Sequence, residues 1–248
     1  MNLSIIIPVL NEADCLEEAL DQLQVLRAQG AEIIVVDGGS CDVSYKVACA
    51  AADKVKVCAA GRAAQMNCGA ACAEGKYLLF LHVDTLLPVC DLPIFFPPEW
   101  LLLEEKNDHI LSNKHVVTEQ SRPSWGFFLL SIDNHRWQFR IIEWLINKRS
   151  TWTRVSTGDQ CQFFQRDFFK QLGGFTDIAL MEDVAISKLA RDQAEPKIIS
   201  SRVSTSSRRW CKHGILKTVC LMWAFRLSYW LGVDPNQLAA IYYPTSKK

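Results

Sequence analysis

The sequence predicts an α/β fold with a Rossmann-like, mixed but mostly parallel sheet that helices flank. Short apolar, β-branched segments alternate with helical patterns through the first third of the chain. An aspartate follows two of these segments closely, at positions 37 and 84, at the strand ends where such sheets commonly bind ligands. Because alternating strands and helices form right-handed crossovers, the strands should run parallel and their carboxyl ends should meet at one edge.

The first third of the chain predicts four strands and three helices in alternation. β-Branched and apolar runs predict strands over 3–9, 32–36, 55–58 and 77–81. Polar capping residues and helical spacing predict helices over about 14–27, 44–52 and 61–73. Residues 88–120 contain four prolines that interrupt any long element, and the sequence predicts no element there.

The rest of the chain predicts two further strands and several helices. Strands are expected over 125–132 and 161–164, and helices over 137–146, 166–172 and 179–189. Residues 200–207 are rich in Ser and Thr and predict a polar connection. Residues 215–231 are too short to span a bilayer and contain Lys217 and Arg226, so they predict an amphipathic helix. We therefore expect a domain over 1–200 and a basic linker with a C-terminal amphipathic helix over 201–248.

Composition narrows the class of protein and its location. Lys plus Arg and Asp plus Glu number 27 each, which argues against the broad basic surface of a nucleic-acid binder. The ten cysteines form no Cys-x-x-Cys pair, which favours free thiols in a reducing compartment. No signal peptide is evident at the start of the chain. The prediction is a cytoplasmic protein that binds no nucleic acid.

Three carboxylates are candidates for chemistry. Asp37 and Asp84 follow predicted strands, at the sheet edge where α/β proteins bind nucleotides and substrates. Asp183 follows Glu182 in the first turn of a predicted helix, where it could act as a general base toward a hydroxyl. The plainer alternatives are a turn or helix cap for Asp84, and complementation of the helix dipole for Glu182 and Asp183.

Aromatic and basic residues leave two further alternatives open. The tryptophans could line a sugar or lipid pocket, although core packing is the favoured interpretation for residues at such spacing: Trp125, Trp137, Trp144 and Trp152. Arg208 and Arg209 could bind a diphosphate or anionic lipid headgroups, or form a solvated charged surface.

Four motifs, in this order, resemble the family 2 glycosyltransferases of GT-A fold: Pro8-Val9-Leu10-Asn11-Glu12, Val36-Asp37-Gly38-Gly39-Ser40-Cys41-Asp42, His82-Val83-Asp84 and Glu182-Asp183. The resemblance covers about residues 1–190. Within that family, three short motifs resemble the small bacterial branch called arsenosugar-biosynthesis glycosyltransferases: Gly61-Arg62, Gly158-Asp159-Gln160 and Arg208-Arg209-Trp210.

The resemblance implies an inverting, metal-dependent transfer of a sugar from a nucleoside-diphosphate sugar to a hydroxyl acceptor. Asp84 would ligate Mg²⁺ or Mn²⁺, Asp183 would be the base, and Glu182 would orient or tune it. The residues that would contact the donor are Pro8, Val9, Asn11, Glu12, Asp37, Arg62, His82, Arg208 and Arg209. The acceptor-side candidates are Asp159, Gln160 and Trp125.

His82 departs from the family pattern, because it stands where the first acid of the usual Asp-x-Asp is expected. It could hydrogen-bond the ribose, ligate Mn²⁺, or simply pack in the protein. A single protein carboxylate remains sufficient for a cation that keeps several waters and takes oxygens from substrate phosphates.

Two other functions remain as alternatives. A nucleotidyltransferase would carry a Gly-rich, basic phosphate loop after the first strand, and residues 8–12 do not form one. A non-catalytic, membrane-attached sugar-nucleotide binder would contact the membrane through the C-terminal helix. A peripheral membrane contact through the C-terminal helix is an alternative for the enzyme as well. The sequence argues against a dinucleotide dehydrogenase, since no Gly-x-Gly-x-x-Gly follows the first strand.

Overall fold

A computed structural model describes residues 2–88 and 122–242 of the chain. Its strands are β1 (Leu3–Val9), β2 (Glu32–Asp37), β3 (Lys54–Val57), β4 (Tyr77–Phe80), β5 (Thr85–Leu86), β6 (Trp125–Ile132), β7 (Phe163–Gln165) and β8 (Lys197–Thr205). Its helices are α1 (Ala13–Ala28), α2 (Ser44–Ala51), α3 (Arg62–Cys72), α4 (Trp137–Thr153), α5 (Arg166–Gln171), α6 (Glu182–Gln193), α7 (Arg208–His213), α8 (Ile215–Trp230) and α9 (Pro235–Tyr242).

The strands form one sheet in the order β3-β2-β1-β4-β7-β6-β8-β5. Strands β1 to β4 pair in parallel, while β7 runs antiparallel to both of its neighbours, β4 and β6. Only residues 81–84 join β4 to β5, yet β5 lies at the far end of the sheet against β8. The sheet must therefore curl so that its end returns toward the carboxyl end of β4. This arrangement confirms the predicted mixed, mostly parallel α/β fold.

The core lies on both faces of the sheet, because its central strands are buried on both sides. One face packs against α1 and α2 through a cluster that includes Leu16, Leu20 and Ala48. The opposite face packs against α3, α5 and α6 through a cluster that includes Met66, Phe169 and Ile186. These two layers hold the carboxyl ends of β1, β2 and β4 at one edge.

The polar connection predicted over 200–207 is wrong, because most of it belongs to β8. Its buried positions are Ile199, Val203 and Thr205, with more exposed residues between them. Ser and Thr obscured this pattern, since both tolerate strands and loops. The predicted domain boundary at residue 200 consequently falls inside a strand of the main sheet.

Helix α8, which begins within the predicted C-terminal helix, packs on the domain along one side. Near its start, Ile215, Val219 and Met222 pack with residues of β6 and α4. Farther along, Phe225 packs with Leu238 of α9 and with Leu180, which lies just before α6. Within the described residues no helix is both long and apolar enough to cross a membrane.

Candidate active site

Asn11 joins the loop after β1 to the loop after β2. Its N–H donates to the Ser40 hydroxyl at 2.9 Å, and its side-chain oxygen accepts the Cys41 N–H at 2.8 Å. Asn11 has a φ of 54°, a left-handed conformation that asparagine tolerates better than most residues. The asparagine of the first motif thus shapes the loop and is engaged by the protein's own backbone.

The next two residues continue this connection between the loops. The Glu12 N–H donates to the Ser44 hydroxyl at 3.0 Å, and the Ala13 N–H donates to Asp42 at 3.2 Å. Hydrogen bonds from Ser44 lower the pKa of the Asp42 carboxyl below its ordinary value. Both loops therefore form one unit at the carboxyl ends of β1 and β2.

Gln65 is a buried residue that the sequence analysis missed. Its side-chain amide donates at 2.8 Å to the carbonyls of Val9 and Val36, near the carboxyl ends of the two adjacent strands. Its side-chain oxygen accepts the Gly61 N–H at 3.4 Å. A glutamine within an Ala-rich helix has no distinctive motif, so only the tertiary structure identifies this clamp.

Asp37 is almost fully buried at the end of β2. It accepts the N–H of Ser40 at 3.1 and 3.2 Å and also the hydroxyl of Ser40. Arg62 begins α3 and is exposed. Asp37 thereby holds the same Ser40 turn that Asn11 contacts.

The segment between β4 and β5 carries His82 and Asp84. Its backbone is held by hydrogen bonds from the Leu81 N–H to the Ile6 carbonyl at 2.9 Å and from the Ser206 N–H to the Asp84 carbonyl at 3.1 Å. The Asp84 carboxylate is partly exposed and forms no hydrogen bond or ion pair with residues of the described ranges. The same ranges contain no group of three or more His, Cys, Asp or Glu arranged to hold a metal ion.

His82 is directed toward the turn that contains Gly158. Its Nδ1 lies 3.1 Å from Asp159 Oδ1, and its ring is so close to Gly158 that a Cβ added there would lie 2.5 Å from Nε2. His82 is largely buried, whereas the Asp159 side chain remains partly exposed. His82 therefore has a partner within the protein, in agreement with the packed alternative.

Asp183 is held on the other side of the same turn. Its carboxylate accepts the Gly158 N–H at 2.7 Å and the N–H of Val184 at 2.6 Å. Burial is the largest influence on its pKa and raises it, while these two hydrogen bonds and the charge of His82 act to lower it. Gly158 thus lies between the His82 ring and the Asp183 carboxylate.

Glu182 is buried beside Asp183. Burial raises the pKa of the Glu182 carboxyl, and the charge of Asp183 raises it further. The charges of Arg62 and His82 oppose these effects. The start of α6 therefore carries two adjacent acids whose pKa values are both raised, as often occurs at catalytic sites.

A buried polar network supports the start of α6, where Asp183 lies. The side-chain amide of Gln162 donates to the Asp183 carbonyl at 3.0 Å, to Ser156 at 2.9 Å and to Ser187 at 2.8 Å. No sequence motif indicates Gln162, Ser156 or Ser187 as supporting residues. Their signal is weak because Gln and Ser are ordinary residues near a loop.

The matched family model is "Glycosyl transferase family 2", and it covers residues 4–173. The chain belongs to glycosyl transferase family 2. An uncharacterized glycosyltransferase of Rickettsia prowazekii (strain Madrid E), RP339, is 37% identical over 89 residues, which are 34% of this chain and 28% of that protein.

Several solved structures have a fold similar to this family 2 chain. The mannosyltransferase PcManGT from Pyrobaculum calidifontis, in complex with GDP-Man and Mn²⁺, is 19% identical with a TM-score of 0.54. TarS residues 1–349 from S. aureus, in complex with UDP-GlcNAc, are 16% identical with a TM-score of 0.57. The glucosyl-3-phosphoglycerate synthase of Mycobacterium tuberculosis, with Mn²⁺, UDP and phosphoglyceric acid, is 14% identical with a TM-score of 0.55.

These alignments cover most of this chain but smaller shares of the other proteins. The matches cover 82%, 83% and 82% of this chain, against 56%, 58% and 69% of the respective structures. At such identities the similarity shows a GT-A fold. The narrower resemblance to the arsenosugar-biosynthesis branch stays a prediction.

Two predicted acceptor-side residues of this family 2 chain are in the interior instead. Trp125 is fully buried in β6, and its Nε1 donates to the Ala194 carbonyl at 2.8 Å. Gln160 is also fully buried, and its amide donates to the Phe128 carbonyl at 3.2 Å and to Ser150 at 3.0 Å. Both side chains satisfy buried backbone or hydroxyl groups, so neither is positioned to contact an acceptor.

The basic motif of the family 2 chain reaches the loop after β1 through Arg208. Its Nη2 lies 3.5 Å from Glu12 Oε2, and its Nη1 lies 3.4 Å from Cys15 Sγ. The side chain of Arg209 lies outside the described part of the structure. Arg208 therefore brings a positive charge from α7 to the loop after β1.

Arg149 of α4 is a further charged residue near Asp183. Burial lowers the pKa of its guanidinium to about 10, and the charge of Asp183 opposes that shift. No motif in the sequence indicated this residue. Its charge is placed near Asp183 only because α4 packs along β6.

Proposed function

We propose that this chain transfers a sugar from a nucleoside-diphosphate sugar to a hydroxyl group of an acceptor, with inversion at the anomeric carbon and with Mg²⁺ or Mn²⁺ as cofactor. The observation that carries the proposal is the position of Asp183. Its carboxylate accepts the N–H of Val184 in α6 and the N–H of Gly158. The ring of His82, two residues before Asp84, lies against the same Gly158.

The donor is proposed to bind where the loops after β1 and β2 meet. The family resemblance assigns Pro8, Val9, Asn11, Glu12 and Asp37 to that side, and their loops are joined by the hydrogen bonds described above. Arg62, Arg208 and Arg209 are proposed to supply positive charge for the diphosphate, and His82 to border the ribose. Two similar structures hold GDP-Man or UDP-GlcNAc, which supports a nucleoside-diphosphate sugar as the donor class.

Asp84 fits the role of a metal ligand. Its carboxylate is partly exposed and has no partner within the described residues, and a hard divalent cation prefers such an oxygen. A cation there would take its remaining ligands from phosphates and water, since a larger acidic cluster is absent from the described ranges. The bound cation would neutralise charge on the leaving diphosphate.

Asp183 is proposed to be the general base. The acceptor hydroxyl gives its proton to the Asp183 carboxylate as its oxygen attacks the anomeric carbon from the face opposite the diphosphate. The new C–O bond forms as the bond to the diphosphate breaks, and the electron pair leaves with the diphosphate. The raised pKa of Asp183 brings its basicity closer to the working pH, which favours proton transfer.

Three variants test these roles without knowledge of the acceptor, because water can act as a slow acceptor in donor hydrolysis. A thermal-shift screen of nucleotide sugars with and without Mn²⁺ first identifies the donor. Asp183→Asn should then abolish hydrolysis with donor binding nearly unchanged. Asp84→Asn should weaken Mn²⁺-dependent donor binding. The exposed Asp177 provides a matched control, and Asp177→Asn should resemble the wild type.

The expected pattern separates the proposal from its alternatives. An active Asp183→Asn enzyme would exclude Asp183 as the base. Donor binding without turnover would favour the non-catalytic binder, and release of pyrophosphate from a nucleoside triphosphate would favour the nucleotidyltransferase. Membership of glycosyl transferase family 2 favours sugar transfer over both. A cytoplasmic location and peripheral membrane contact remain predictions.

A further inference from the structure

The helix α4 exposes a stripe of large apolar side chains. Trp137, Ile141, Trp144 and Leu145 recur at helical spacing, and the two tryptophans are 68% and 62% exposed. The opposite side of α4 is buried through Phe139 and other residues. The exposed stripe is therefore additional to the face that α4 needs for packing.

A second stripe lies on α8. Leu216, Trp223, Leu227 and Trp230 share one side of this helix, and the tryptophans are 57% and 73% exposed. Phe225 and Thr218 occupy the buried side. Large exposed apolar surfaces of this kind usually mark contact with a membrane or with another protein.

The two helices are neighbours. Phe139 and Ile142 of α4 share a buried cluster with Ile215, Val219 and Met222 of α8. A cavity of about 420 Å³ lies where the two helices begin, and its lining includes Arg136, Trp210, Ile215 and Lys217. The two stripes therefore lie on helices that share one buried cluster, and a partly apolar, basic cavity lies where these helices begin.

Exposed basic residues lie on these elements. Arg136, Lys212 and Lys217 are exposed, and neither α7 nor α8 contains an Asp or Glu. The acid of α4, Glu143, is buried, accepts the Ile132 N–H and pairs with Arg140 at 2.8 Å. A surface that combines exposed tryptophans with basic residues is typical of helices that lie in the headgroup region of an anionic bilayer.

We propose that the exposed sides of α4 and α8 together form a docking surface for an anionic lipid bilayer, with Arg136 and Lys217 contacting lipid phosphates at the cavity. The apolar stripes would enter the headgroup boundary and the basic residues would lie at its level. This proposal concerns attachment and does not depend on the proposed sugar transfer.

Vesicle co-sedimentation of the full chain tests the proposal. Vesicles of phosphatidylcholine alone are compared with vesicles of phosphatidylcholine mixed with phosphatidylglycerol, at low and high salt. The wild type should sediment with the anionic vesicles, and high salt should weaken this binding. The double variant Trp223→Ser/Trp230→Ser should bind at least about tenfold more weakly, since exposed tryptophans supply much of the apolar contact.

Charge and control variants sharpen the result. Arg136→Gln and Lys217→Gln should each weaken binding to anionic vesicles by about fivefold, with little change for neutral vesicles. Val25→Ser removes an exposed apolar side chain from α1 instead and should bind as the wild type does. Circular dichroism and the Tm confirm that each variant is folded.

Three outcomes would overturn the proposal. The first is a wild type that stays in solution with anionic vesicles, and the second is unchanged binding by the double tryptophan variant. The third is absence of vesicle binding together with a dimer, measured by light scattering without lipid, that the tryptophan substitutions dissociate. In that case the surface would join two copies of the chain. Donor hydrolysis, measured in the same variants without lipid, reports separately on the proposed function.

Discussion

Gly158 offers a direct test of how the candidate base is positioned. A Cβ added at Gly158 would lie 2.5 Å from His82 Nε2, whereas ordinary contacts begin near 3.4 Å. The ring or the turn must therefore move by about 1 Å. If the ring moves, its 3.1 Å contact with Asp159 lengthens to about 4 Å, which is too long for a hydrogen bond. If the turn moves, the 2.7 Å bond from the Gly158 N–H to Asp183 is lost.

Either movement should weaken catalysis in Gly158→Ala. A hydrogen bond to a charged group contributes about 1.5–3 kcal/mol, which corresponds to roughly a 10- to 100-fold decrease in kcat/KM for donor hydrolysis. If the bond to Asp183 is the one lost, the pKa of Asp183 rises further, because that bond lowers it. The acid limb of the pH profile should then move to higher pH.

A double-mutant cycle provides the control. His82→Ala removes the ring that the new methyl group would meet, so Gly158→Ala should have little further effect in that background. Additive losses would indicate that the clash is not the cause. A Gly158→Ala enzyme with wild-type kcat/KM and an unchanged pH profile would refute the proposed positioning of the base.

Two further predictions concern stability. Because the folded state raises the pKa of Glu182, its contribution to stability is present below the ordinary glutamate pKa and is lost as the pH rises through the raised value. Glu182→Gln should therefore raise the Tm at pH 7 by about 2–4 °C for each kcal/mol recovered, and much less at pH 4, as measured by calorimetry. The control Glu195→Gln, at an exposed position, should change the Tm little. An equal gain in Tm at both pH values for Glu182→Gln would contradict this prediction. Gln65→Leu removes two buried hydrogen bonds to backbone carbonyls. It should lower the free energy of unfolding by about 1–3 kcal/mol, measured by urea unfolding, and should weaken donor binding, measured by calorimetric titration. Gln24→Leu also removes two bonds to carbonyls, one within α1 and one from α1 to α2, and should leave donor binding intact. Equal binding losses in both variants would argue against the clamp.

Much of the fold could be predicted from local patterns. Strands β1, β2 and β4 are nearly continuous apolar runs, and each contrasts with the polar segments beside it. Strand β8 was missed because Ser and Thr occupy many of its positions. Strand β5 has only two residues, so no periodicity can reveal it.

The sequence by itself determined the α/β class, the family resemblance, and the carboxylates at the ends of β2 and β4 and at the start of α6. Each follows from residues close together in the chain. Only the tertiary structure decided that His82 pairs with Asp159, that Gln65 clamps two strands, and that Trp125 and Gln160 are interior residues. These contacts join residues far apart in the chain. Their geometry depends on how the sheet curls and how the helices pack, and no local pattern encodes that.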